Sequence, residues 1–158
     1  MRRGLVLAAM CAALVSSCSQ PEAALKLDPT AKFSTDLPMN EFMGHVVDPA
    51  AFLYWRGSGY EITAEGERDL SPTTVEGWEA LETGAATLIE AGNAMQLPGR
   101  VRAPEADWNK WSQLLSTRAV AAKEAAFKKD KQAVFDEGGR VSEVCTSCHQ
   151  QFVIDPAS

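Results

Sequence analysis

Histidine is almost absent from this chain, with only His45 and His149 among 158 residues. Cysteine is scarce, at four, and the 15 basic residues are outnumbered by 21 acidic ones, for a formal charge of −6. That acidity excludes a nucleic-acid binder, whose surface needs a basic footprint. The shortage of histidine narrows zinc chemistry, because a zinc site draws three or four protein ligands from a small set of side chains. The apolar run Gly4 to Val15 is too short for an ordinary membrane span. An apolar content of 46% excludes a disordered chain. The length suits one packed domain better than two.

What is present begins with an export pattern. Arg2-Arg3 precedes the uncharged run Gly4 to Val15, and Ser16-Ser17 supplies small residues before Cys18. Residues 1–17 therefore read as a bacterial signal peptide. Val15-Ser16-Ser17-Cys18 resembles a lipobox, in which Cys18 takes lipid and becomes the mature N-terminus; cleavage after Ala23 or Ala24 is the alternative. Loss of Arg2 and Arg3 takes the mature chain to −8. The expected location is the periplasm, with a lipid anchor to a bacterial membrane as the sole membrane contact. Residues 18–38 hold Pro21, Pro29 and Pro38 among polar residues and read as a flexible tether to a domain over 39–155.

Within that domain four helical segments and no strand are predicted. In the first, about Met39 to Trp55, Met39, Phe42, Met43, Val46, Ala50 and Leu53 form one apolar stripe. Pro49 either kinks it or starts a new segment capped by Asp48. Gly57 to Ser71 reads as a loop. Thr73 and Glu76 make a capping box for the second helix, whose stripe runs Val75, Trp78, Leu81, Ala85, Leu88, Ile89 and Met95 before Pro98-Gly99. The third starts at Pro104 and faces inward with Trp108, Trp111, Leu114, Leu115, Ala119, Ala122 and Ala126. Lys128-Lys129-Asp130-Lys131 is a solvated helix end, and the fourth helix runs from about Gln132 to Phe152, locally weakened at Gly138-Gly139. The expected fold is all-α, an antiparallel four-helix bundle. Gly84, Ala85, Ala119, Ala122 and Ala126 either bring helices close or leave room for a large planar cofactor.

The last helix carries Cys145-Thr146-Ser147-Cys148-His149. On a helix the two thiols stand one turn apart on one face, where they can add to the two vinyl groups of a porphyrin. The next residue places an imidazole at the iron. Cys145 and Cys148 are thus the covalent anchors of one haem c, and His149 its proximal iron ligand. Zinc is poorly supplied by the remaining His45. A thioredoxin-like pair expects a βαβ setting, and a disulfide here would close only a tiny loop.

With its motif on the last helix, the chain resembles the class II c-type cytochromes, the cytochrome c-prime family, from about Leu37 to Phe152. The likeness is strongest over the last helix and Trp78 to Met95, and weakest over the first helix and its long loop. The motif near the C-terminus, with no methionine after Met95, rules out the class I arrangement. The resemblance implies a four-helix bundle with haem on the C-terminal helix, a distal face supplied by the first helix, and frequent pairing into a homodimer. Family members with a distal methionine carry electrons, and those with an open distal face bind small gases such as nitric oxide or carbon monoxide. Helical spacing puts Met43 near the centre of the apolar stripe and His45 about 200° away, so Met43 is the first candidate sixth ligand, then Met39, then His45. An open distal site is the alternative. Eight aromatics (Phe42, Phe52, Tyr54, Trp55, Trp78, Trp108, Trp111 and Phe152) are expected to wall the haem and fill the core, with Phe152 nearest the haem and Arg56 or Arg118 on a propionate. The expected function is periplasmic electron transfer to redox partner proteins, with gas binding as the alternative and no catalysis.

Overall fold

The structure, a computed structural model, describes Thr30 and residues 33–152. The expected signal peptide, Cys18 and most of the tether lie outside those residues. Every element below belongs to the unit that begins at Phe33.

The N-terminal helix is the least regular. It comprises α1 (Met39–Phe42), a π-helical turn (Met43–Val47) and α2 (Asp48–Trp55), with right-handed helical dihedrals through both junctions. Pro49 does not break it: the ring stands in the first turn of α2, as one expectation had it, but Asp48 is the first residue of that segment and not its cap, and Val47 before it is helical. A proline inside a helix lacks its N–H and crowds the carbonyl four residues back, here that of His45. The wider π turn, closed by the Asp48 N–H on the Met43 carbonyl, opens the ladder just ahead of the ring. The extra residue in that turn shifts the buried stripe by about one position. Phe42, Val47, Ala50, Ala51 and Tyr54 are buried, whereas Leu53, expected inside, is exposed.

The Gly57 to Ser71 loop contains a feature the sequence pattern did not reveal. Strands β1 (Tyr60–Thr63) and β2 (Gly66–Asp69) pair antiparallel, Tyr60 opposite Asp69 and Thr63 opposite Gly66. All eight residues are exposed, so no burial pattern marks them. Gly66 carries the turn at φ +133°, a conformation open chiefly to glycine.

Three long helices follow: α3 (Val75–Met95), α4 (Glu105–Phe127) and α5 (Lys131–Gln151). The cap of α3 is Thr74, one residue later than expected; its hydroxyl accepts the Gly77 N–H at 3.1 Å. Val75 consequently sits in the exposed first turn. Asp130 caps α5 by accepting from Ala133 at 3.0 Å, and Lys129, at φ 56°, turns the chain between α4 and α5.

The helices alternate in direction. The Trp108 indole N–H donates to the Met95 carbonyl at 2.8 Å, Ser116 to Ile89 at 2.9 Å, and Lys123 meets Glu82 at 3.2 Å, so α4 runs antiparallel to α3. Trp111 donates to Gln151 across α4 and α5 at 2.7 Å, while Ala122 and Val134 share the Tyr54 hydroxyl. Gly84 abuts the Ala50 carbonyl and Gly57 abuts Leu81, which sets α2 antiparallel to α3. The chain is mostly helical, as expected, with the hairpin as a small addition. Gly84, Ala85, Ala119, Ala122 and Ala126 are all buried. At Gly84 the reason is plain: a Cβ there would lie 2.6 Å from the Ala50 oxygen.

The N-terminal helix and α5 meet at one end only. Trp55 donates to the Gly138 carbonyl at 3.0 Å, and the missing Gly138 side chain admits its ring. The backbone of α1 and of the π turn makes no close approach to α5. A gap is left between them.

Candidate functional site

That gap is a half-enclosed cavity of about 270 Å³. One wall is the stripe Met43, Val47, Asp48, Ala51 and Trp55. The facing wall is α5, through Ser142, Val144, Cys145, Thr146, Cys148 and His149. Met95, Trp111 and Leu115 complete the lining from α3 and α4. A larger groove of about 630 Å³ beside Trp55 and Phe135 is open and contains none of the motif residues.

The motif side chains occupy one helical face, as residues three and four apart must. Cys145 and Cys148 are free thiols, half-buried, one turn apart. Burial pushes the Cys145 thiol up to about 11, with further contributions from the charges on Cys148 and Asp48. Burial also raises Cys148. Redox-active Cys-X-X-Cys pairs have a lowered thiol pKa, so these thiols are poised in the opposite sense. His149 stands at the exposed rim beside Cys148. Among the described residues no group of three or more His, Cys, Asp or Glu is arranged to hold a bare metal ion. No described helix is long and apolar enough to cross a membrane.

The other named residues fall into two sets. Met43 is half-buried on the cavity wall. Met39 packs against the same core cluster without lining the cavity. His45, its side chain 72% exposed, points outward to Glu41 at 3.0 Å. Of the aromatics, Trp55 and Trp111 wall the cavity. Phe152, expected nearest the cofactor, is instead buried edge-on against Trp108, 5.2 Å between centroids. Arg56 lies over the exposed Phe52 ring and Arg118 is half-buried on α4; neither lines the cavity. The small residues of α3 and α4 do not line it either, which assigns them to helix packing.

Asp48 is the lining residue that sequence reasoning missed in this role. A regular helix puts Val47, at i+4, beside Met43; the π turn adds Asp48, at i+5, to the same wall. The usable hint was an acidic residue directly before a proline inside an apolar stripe.

The chain matches no protein-family model, no curated protein and no solved structure.

The site thus combines two half-buried free thiols at helical spacing, an adjacent imidazole, a thioether side chain from another helix and two indole walls. This donor set fits a haem, since both thiols and the imidazole border the same cavity.

Proposed function

We propose that this chain is an exported, single-haem c-type cytochrome of class II architecture that passes electrons between periplasmic redox partners. The observation that carries the reading is the meeting of Met43 with Cys145, Cys148 and His149 around one cavity. The chemistry the haem supplies when bound is a one-electron ferric/ferrous couple.

Each protein group has a defined part. Cys145 and Cys148 would hold the macrocycle covalently as thioethers, and His149 would supply a nitrogen ligand to its iron. Met43, from the N-terminal helix, is the sixth-ligand candidate. Trp55 and Trp111 keep water from the interior and lower the local dielectric, which helps set the potential. Occupation of the iron by the Met43 thioether would favour electron transfer over small-gas binding. Covalent attachment keeps the group on a carrier tethered through a lipidated Cys18.

Co-expression with bacterial haem-ligation machinery tests the proposal. The purified chain should be red and stain for haem on a denaturing gel, and Cys145→Ala with Cys148→Ala should abolish the stain. A colourless product refutes haem binding. A red product with a high-spin, gas-binding spectrum retains the haem and replaces electron transfer with gas capture.

A further inference from the structure

The cavity wall carries one acidic side chain, and its position is a product of the π turn. Among the described residues no ion pair or hydrogen bond compensates the Asp48 side chain. Arg56 borders the same outer groove as Asp48, yet its guanidinium lies over the Phe52 ring, 5.8 Å from the centroid. Asp48 is exposed, borders that outer groove, and shares the cavity wall with Val47, Ala51 and Trp55.

We propose that Asp48 is a tuning residue, a fixed negative charge on the wall of the haem cavity that favours ferric over ferrous iron and so lowers the reduction potential. The inference rests on the haem reading above and deepens it. A neighbouring anion stabilises the more positive of two oxidation states, by an amount that grows as the surroundings become less polar. The effect of Asp48 already reaches α5, because its charge helps to raise the Cys145 thiol. A regular helical turn would leave Val47 as the nearest wall neighbour of Met43; the π turn adds a carboxylate there.

The test is a redox titration at neutral pH of haem-loaded protein, first verified by haem stain and by an unchanged ferric spectrum. Asp48→Asn and Asp48→Ser remove the charge, Asp48→Glu retains it, and Glu41→Gln removes an exposed charge from the outer face of the same helix. At the wild-type midpoint potential, either neutral variant should show a ferrous-to-ferric ratio roughly fivefold above the wild type. Asp48→Glu and Glu41→Gln should stay within about twofold, as expected of a retained or well-screened charge. A neutral-variant ratio as close to wild type as that of Glu41→Gln overturns the role of Asp48. A shift shared equally by Asp48→Glu overturns it too, since that is the mark of altered packing rather than lost charge. Wild-type protein without covalent haem sinks the cofactor reading itself.

Discussion

The same substitution, glycine to alanine, should act with opposite sign in two helices. At Gly84, on α3, a new Cβ would meet the Ala50 oxygen at 2.6 Å, the Tyr54 nitrogen at 3.1 Å and the Leu53 Cβ at 3.4 Å. The two nearest atoms are backbone, so no rotamer change relieves the clash and α2 must move away from α3. Overpacking of this kind costs about 1–3 kcal/mol, and the better helix propensity of alanine returns somewhat under 1 kcal/mol. Displacing α2 also strains the hydrogen bonds of Tyr54 and Trp55 to the neighbouring helices, so a net loss of about 2 kcal/mol is expected. At Gly139, on α5, a Cβ would meet nothing within 4 Å. There the propensity gain stands alone, and Gly139→Ala should stabilise by about 0.5–1 kcal/mol. Urea melts of both variants beside the wild type give the two values directly. Because α2 continues the helix that carries Met43 and Asp48, Gly84→Ala should also weaken distal ligation in haem-loaded protein, while the covalent motif on α5 remains intact. Equal signs for the two substitutions would refute the close α2–α3 packing from which the argument starts.

Met43→Ala should convert a low-spin ferric spectrum to high-spin, whereas His45→Ala and Met39→Ala should leave it low-spin; a change with Met39→Ala alone would move the ligand one helical turn earlier. Tyr54→Phe, which removes the hydroxyl shared by Ala122 and Val134, should cost about 1 kcal/mol in a urea melt and leave haem attachment unaffected. In the haem-free chain the Cys145 thiol is raised from 9.0 to about 11, so its burial stabilises fully below pH 9 and that contribution, about 2–3 kcal/mol, disappears between pH 9 and 11. Haem-loaded protein has thioethers with no proton to lose, and comparison of urea melts at pH 8 and 11 should find this alkaline component in the haem-free form alone.

The long helices were legible because their apolar spacing is regular: Trp78, Leu81, Ala85 and Leu88 on α3, and Trp108, Leu115, Ala119, Ala122 and Ala126 on α4, are all buried. The hairpin was not, since exposed strands of four residues carry no burial signal. The N-terminal helix was read correctly as far as Ala50, which is buried, and lost phase at Leu53, which is exposed. Periodicity assumes 3.6 residues per turn, and the π turn ahead of Pro49 breaks that assumption, which put Val47 and Ala51 inside and left Leu53 out.

Local covalent order alone determined the placement of Cys145 and Cys148 one turn apart with His149 next to them, because helical geometry follows from spacing within one segment. Tertiary packing decided what faces them. Only the approach of α2 to α5 at Trp55 and Gly138, and their separation beyond it, creates the cavity. Packing also assigned the small residues to helix contacts, sent Phe152 to Trp108, and brought Asp48 to the wall. Those outcomes depend on distances between helices far apart in the chain, and residue spacing within any one helix carries no information about them.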